Sequence, residues 1–534
     1  MNTAGSGVEV LGKARNILFI MTDQLRADYM SCAGHPSLET PNIDALAARG
    51  VRFTRAYTQS PVCGPARMSF YTGRYMFSHG SHWNNVPLKL GELTLGDYLR
   101  PLGLRTVLIG KTHFAADVAE MARLGLDPKS PDGVLMSQCG FEPFERDDGL
   151  HTHTGFDPNL AYNVWLRERG YESENPWHDF ANSAEGPDGE ILSGWHLRNS
   201  KFPARVKEEH SETAYMTDRA LEFIEQAGDQ PWCAHLSYIK PHWPYMAPAP
   251  YHAMYGPNHV PPANRSEAEL ESPHPVVAAY MRHEESEAFQ REEVRQTVIP
   301  AYMGLVKQID DHLGRLFAAM EAQGRMDDTM IVFTSDHGDY LGDHWLGEKE
   351  LFHEASSRIP MIVYDPDSTA DGTRGAVDDR FVEAIDMVPT FVDVLGGEAQ
   401  PHRLEGRSLL PLLRGGTVED WRDAVFSEGD YAWRHARFTL NVGPHEARAF
   451  MVRTDGWKYI HYENFRPQLF DMNEDPDELV DLGESPAHEA IRAEMRERLF
   501  AWLRTRRLRT TLSDDQVASV TGTGKKRGYY IGVW

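Results

Sequence analysis

Asn16-Ile-Leu-Phe-Ile-Met-Thr-Asp23 carries five consecutive apolar residues and stops at a carboxylate. A near-continuous apolar run of this length fits a strand covered on both faces, as in a parallel sheet packed between helices. Four other segments repeat the design. Thr106-Val-Leu-Ile-Gly-Lys111 ends at a lysine, and Trp232-Cys-Ala-His-Leu-Ser-Tyr-Ile239 runs into Lys240-Pro-His242. Met330-Ile-Val-Phe-Thr-Ser335 runs into Asp336-His337-Gly338, and Pro360-Met-Ile-Val-Tyr364 is the last of the set. Ligands of open α/β sheets bind beyond the carboxyl ends of the strands. Four of these five runs end there in a group able to hold a metal, an anion or a proton.

Helical patterns separate the runs. Thr40-Pro-Asn-Ile-Asp-Ala-Leu-Ala-Ala-Arg-Gly50 has proline at its start and glycine at its end. Residues 212–227 and 301–323 carry apolar positions at helical spacing. Residues 140–210, rich in Trp, His, Gly, Pro and Asn, read as a long excursion, and the acidic stretch 255–298 as a helical surface insertion. Insertions on the strand-end face often form lids or substrate walls. After Leu410-Pro-Leu-Leu-Arg-Gly-Gly416 the pattern becomes short alternating strands, then an amphipathic helix over 485–506. These features predict an α/β domain over residues 1–415 and a smaller domain with an antiparallel sheet over 416–534. The tail from Gly524 to Trp534 keeps aromatic residues that a solvated tail rarely would. It is expected to dock on a neighbouring subunit of a homo-oligomer.

Composition narrows the function. The 534 residues are 41% hydrophobic and 25% charged, as in an ordinary globular protein. A net charge of −25 argues against nucleic acid as a partner. No apolar run approaches a membrane span, and the N-terminus lacks the apolar core of a secretory signal, so no membrane partner and a cytoplasmic location are expected. Only four cysteines occur, without CxxC spacing, which indicates neither a disulfide framework nor a zinc site.

One of them, Cys63, sits in Pro61-Val-Cys-Gly-Pro-Ala-Arg-Met-Ser-Phe-Tyr-Thr-Gly-Arg74. Pro65 fits the first position of a helix that Gly73 would end. Backbone N–H groups and the positive helix end would then face whatever residue 63 holds, with Arg67 as a charged donor. The plain alternative is a packed thiol at a turn. The Cys63–Arg67 spacing is too short for a cysteine phosphatase loop.

The pattern Cys63-x-Pro65-x-Arg67, followed by Thr72-Gly73, resembles the signature of the sulfatase family of the alkaline phosphatase superfamily. Asp23, Thr40-Pro-Asn-Ile-Asp44, Gly110-Lys111-Thr-His113, Lys240-Pro-His242-Trp-Pro244, Ser335-Asp336-His337-Gly338-Asp339 and Lys349 follow in the family's order. Gln468-Leu-Phe-Asp-Met-Asn-Glu-Asp-Pro476 resembles its smaller domain. The resemblance implies an alkaline-phosphatase-like sandwich, with a central, mostly parallel sheet flanked by helices. It also implies that Cys63 is converted to formylglycine by a formylglycine-generating enzyme. The hydrated aldehyde would attack a small anionic ester, pass through a covalent sulfo-enzyme intermediate and release sulfate through its second hydroxyl.

Roles carry over position by position. Asp23, Gln24, Cys63, Asp336 and His337 would hold one divalent metal ion. Its oxygen-rich ligands fit calcium or magnesium, and the imidazole adds manganese. Many sulfatases show Asp and Asn where Gln24 and His337 stand; this pair instead resembles the phosphonate monoester hydrolase branch. Arg67, Lys111 and Lys349 would bind the anionic oxygens, His113 take a proton from the hydrate, and His242 protonate the leaving alcohol. Lys111 and His113 share a face if their segment is extended. Asn84 would donate to a substrate oxygen, while His79, His82, His344 and His353 receive no role. The expected activity is that of an arylsulfatase. Phosphonate monoester or phosphodiester hydrolysis is the alternative, and an anion-binding protein with an unmodified Cys63 is the non-enzymatic one.

Overall fold

The computed structural model describes residues 14–152, 154–506 and 509–530. The stretch read for a secretory signal and the last four tail residues therefore lie outside the described residues. Fourteen strands are named here in chain order. They are β1 Asn16–Asp23, β2 Val51–Tyr57, β3 Arg105–Gly110, β4 Glu142–Arg146, β5 Ser183–Glu185, β6 Ile191–Ser193 and β7 Trp232–Pro241. The chain continues with β8 Thr329–Ser335, β9 Arg358–Tyr364, β10 Ala376–Glu383, β11 Ala424–Asp430, β12 Arg448–Thr454, β13 Trp457–Tyr462 and β14 Gln468–Asp471.

The central sheet has the order β10-β2-β9-β8-β1-β7-β3-β4. All neighbours are parallel except at β9, which runs against both β2 and β8. The apolar run that opens the chain's reading lies in the middle of this sheet, and every residue of β1 is buried. Leu18 and Ile20 enter one core with the helices Glu212–Ala227 and Glu292–Ala322. Ile17, Phe19 and Met21 enter the other, with the helices Cys63–Thr72 and Met387–Val394. Each fully buried side chain of this size contributes about 1.5–3 kcal/mol of apolar transfer, so both faces commit the strand to the sheet centre.

All five expected strands form, but Pro360–Tyr364 is the reversed one. Apolarity reports burial on both faces and carries no information on direction. Three sheet strands lack a long apolar run. β2 alternates buried and half-buried positions, β4 is the polar edge inside the 140–210 excursion, and β10 is the opposite edge. The long helix begins at Glu292 and so absorbs the end of the acidic stretch.

β11 to β14 form a separate antiparallel sheet, followed by the helix Glu489–Arg504. Buried charge ties this sheet to the first. Lys458 on β13 meets Glu354 at 2.8 Å and Glu478 at 2.5 Å. The Phe426 N–H of β11 donates to Glu383 of β10 at 3.0 Å. In the tail, Tyr529 and Tyr530 are exposed. Among the described residues, no helix is long and apolar enough to cross a membrane.

Candidate active site

Register assembles half of the site. Thr22 of β1 pairs with Ser335 of β8, so Asp23 and Asp336 emerge side by side. Pro241 of β7 lies opposite Asp23 on the other flank, and β3 ends beside Ser237. Gly110, at φ 111°, closes that edge. A Cβ there would sit 2.0 Å from the Ser237 carbonyl oxygen, so only glycine lets β3 turn into Lys111.

The chain leaves β2 through residues 58–62 and starts a fully buried helix at Cys63 itself. Proline at position 65 is thus its third residue, where an N–H would still lack an intrahelical partner. Gly73, at φ 65°, ends the helix as expected. Asn84 accepts the Gly64 N–H at 2.7 Å. Its carbonyl is therefore used in capping this helix, a role the substrate-donor reading did not foresee.

Cys63 Sγ lies 3.1 Å from His337 Nε2 and 3.8 Å from Asp23 Oδ1. Asp23, Cys63, Asp336 and His337 are all buried, and one ligand atom from each falls within a 4.8 Å group. His337 Nδ1 donates to the Gly338 carbonyl at 2.9 Å, which leaves Nε2 with a free lone pair. Two carboxylate oxygens and one imidazole nitrogen fit a divalent cation of the calcium, magnesium or manganese kind.

Arg67 locks this group. Its Nε reaches Asp336 at 2.9 Å and its Nη2 reaches Asp23 at 3.3 Å. Nη1 donates to Ser237 Oγ at 2.7 Å and to the Lys111 carbonyl at 2.9 Å. The guanidinium that sequence reading aimed at substrate thus holds the two carboxylates. Lys111 Nζ is 2.5 Å from Asp23 Oδ2. Burial alone would raise the Asp23 pKa, but Lys111, His242, Arg67 and Lys349 together hold it well below the usual carboxylate range.

The segment carrying Lys111 and His113 is not extended, because His113 has φ 55°. The two side chains still converge. Asp148 accepts the Thr112 and His113 N–H groups, both at 2.9 Å, and fixes the turn. His113 lies beside Cys63, and burial and Lys111 lower its pKa.

A second set approaches on loops. Lys349 Nζ donates to Gln24 Oε1 at 2.8 Å and to His242 Nε2 at 3.1 Å. Gln24, read as a metal ligand, thus engages Lys349 through its amide oxygen. Its amide nitrogen donates to Asp339 at 2.6 Å, and Asp339 also accepts the Tyr245 hydroxyl at 2.7 Å. His242 Nδ1 donates to the Trp243 carbonyl at 2.7 Å, so Nε2 is the acceptor. Burial and Lys349 push the His242 pKa well below its ordinary value. For Lys349, the charges of Cys63, Glu348, Asp23 and Asp336 overcome burial and raise it.

Sequence reading gave no role to Asp339 or Asp148. Asp339 closes the quoted Ser335–Asp339 motif, so its signal was visible. Asp148 follows a polar edge strand and had none.

A family model described as Sulfatase matches residues 15–397. The chain belongs to the sulfatase family. A second model, described as the C-terminal part of N-sulphoglucosamine sulphohydrolase, matches residues 342–505 of this sulfatase. The multifunctional alkaline phosphatase superfamily protein PehA of Trinickia caryophylli is 33% identical, over 91% of this chain and 95% of its own. An arylsulfatase of Clostridium perfringens is 26% identical, over 88% and 90%. The phosphonate monoester hydrolase of Agrobacterium radiobacter superposes with a TM-score of 0.80 at 29% identity, covering 94% of this sulfatase and 98% of that chain. The fold is accordingly alkaline-phosphatase-like, as its sequence implied.

Proposed function

We propose that this sulfatase-family hydrolase cleaves sulfate esters, with aryl sulfates as the simplest substrates. Cys63 would be matured to formylglycine by a formylglycine-generating enzyme, and one divalent ion (calcium, manganese or magnesium) would be held by Asp23, Asp336, His337 and residue 63, with Gln24 left to orient Lys349. The observation that carries this reading is the buried group of Asp23, Cys63, Asp336 and His337 at the start of a helix. An ion bound there supplies charge that polarises an ester oxygen and favours the ionised form of a neighbouring hydroxyl.

The chain's own residues do the rest. Arg67 keeps both carboxylates at fixed separation. Lys111 and Lys349 offer positive charge to the anionic oxygens of the ester, where preorganised donors give their largest effect. His113, beside residue 63 and held neutral by burial and Lys111, accepts a proton there. His242 and Lys349 act as a pair on the leaving oxygen. His242 stays neutral and orients the Lys349 ammonium by accepting one of its N–H groups at Nε2, and the departing alcohol takes its proton from that ammonium. An aromatic alcohol suits this side. The Trp243 ring lies 4.4 Å from His242 and is edge-on to Trp195 at 5.5 Å.

The second reading is a phosphonate monoester hydrolase or phosphodiesterase, favoured by Gln24, His337 and the fold shared with the Agrobacterium radiobacter enzyme. Catalytic efficiencies on matched aryl sulfate, phosphonate and phosphodiester substrates decide the order, and a large preference for phosphorus reverses it. Mass analysis of the peptide containing Cys63 tests the nucleophile. A retained thiol without hydrolysis after expression with the maturation enzyme would leave only anion binding. The same reading includes a homo-oligomer covered in part by the aromatic tail, supported by the exposure of Tyr529 and Tyr530. An unchanged solution mass after deletion of residues 520–534 would reject it.

A further inference from the structure

Lys349 is delivered by unusual backbone. Glu348 and Glu350, its two neighbours, have φ of 60° and 90°. Residues with a Cβ hold that left-handed region only where the surroundings impose it. The Glu348 carbonyl is held by the Tyr340 N–H at 2.6 Å. On the other side the support comes from Arg434, in the turn after β11. Its Nε lies 2.9 Å from Glu350 Oε2, an ion pair between a half-buried guanidinium and a buried carboxylate. The same guanidinium pairs with Glu285 and meets His283 Nδ1 at 3.1 Å. Tyr280 packs beside the same carboxylate.

Three distant segments therefore meet at one side chain. Arg434 comes from the turn after β11, Glu285 and His283 from the acidic insertion, and Glu350 from the Lys349 loop. Glu350 is only 7% exposed, and burial raises its pKa to about 7 even beside Arg434. Without the arginine this buried carboxylate would lose its charge partner, and the loop would lose the contact that fixes its outer side.

We propose that Arg434 is a positioning residue for Lys349. By pairing with Glu350 and Glu285 it holds the left-handed Glu348–Lys349–Glu350 turn, and so keeps the Lys349 ammonium against His242 and Gln24. The kinetic part of the proposal rests on the catalytic role given to Lys349 above.

The test uses the full chain, co-expressed with the maturation enzyme. Arg434→Met and Arg434→Lys are each made in the wild-type and Lys349→Ala backgrounds, and kcat and KM are measured on an aryl sulfate. Arg434→Met should lower kcat by between about 10-fold and 10²-fold with little change in KM. Arg434→Lys should recover part of the loss, and in the Lys349→Ala background Arg434→Met should add almost nothing. Equal losses in both backgrounds, or an unchanged kcat, would overturn the proposal. If Arg434→Met does not fold, the Glu350→Gln/Arg434→Met pair removes both charges and should show the same kcat loss; wild-type kcat in that pair would reject the clamp. Reductive methylation of Lys349, read by peptide mass, gives a measure independent of turnover. Labelling should speed up in the Arg434 variants, and an unchanged rate counts against the clamp. A wild-type kcat in Lys349→Ala would instead defeat the catalytic reading while the labelling result still stands.

Discussion

Two sets of residues meet at Cys63, and they are held in different ways. Asp23, Asp336 and Lys111 each follow the last residues of a central strand or stand at its end, and Arg67 sits in the first turns of a buried helix. Their side chains are fully buried and contact one another directly. Lys349, Gln24, Asp339 and His242 form a chain instead, in which each side chain is held by the next. Left-handed backbone at Gln24, Leu341, Glu348 and Glu350 shapes this second set. The first set derives its precision from the sheet. The second derives it from side chains, so damage should spread differently through the two.

The largest effect is expected from breaking the first set. Asp23→Ala should abolish bound metal, measured by elemental analysis of the purified protein, and lower kcat/KM by at least about 10³-fold while the fold persists. Retained metal would show that the ligand assignment is wrong. Lys349→Ala, at the end of the relay, should cost about 10²–10³-fold in kcat. Asp339→Asn, one step further back, should cost clearly less, about 10-fold. A loss equal to that of Lys349→Ala would mean that Asp339 acts directly.

Acid should attack the foundation of the first set. His235, beneath it on β7, accepts from Tyr71 of the Cys63 helix at 2.8 Å, and burial with Arg67 lowers its pKa to about 3. An unfolded chain protonates histidine near about pH 6.5. Below that value the unfolded state binds a proton that the folded state refuses. The contribution is therefore complete above the unfolded pKa and declines as pH falls, by about 1.4 kcal/mol per pH unit. Denaturant midpoints should show this slope, and His235→Gln should flatten it by one proton; an unchanged slope would place the titration elsewhere. The smallest effect is expected from Asn84→Ala. Loss of its contact with Gly64 should cost about 1 kcal/mol, read as a lower melting temperature. No change would return Asn84 to a role in substrate binding alone.

What could be read from sequence follows the same division. Apolar runs reveal strands buried on both faces, and the residues after the four parallel runs lie at the ligand edge, so Asp23, Lys111, His242 and Asp336 were visible. Cys63 and Arg67 are close in sequence, and their helix announces itself with proline and glycine. The contacts of the second set were hidden because they depend on loop conformation. Nothing in Gln24 shows that its oxygen meets Lys349. Nothing in Arg434 shows that it meets Glu350, since local pattern does not encode contacts between distant loops. The direction of β9 and the presence of the edge strand β4 were hidden too, one because burial has no polarity, the other because an edge needs no apolar run.

That reversed strand has a further consequence. β8 stops at the rim of the sheet, and β9, running the other way, starts from the same rim. Residues 336–357 therefore leave and return at one edge, carrying Asp336 and His337 at their departure and Lys349 part-way round. A parallel successor would have required a crossover back to the far edge. A closed excursion needs none, and its closure entropy grows only logarithmically with length. Insertions and deletions here can change how far the lysine reaches without disturbing a single strand pairing. Evolution thus has a place to move Lys349 while the surroundings of Cys63 are inherited intact.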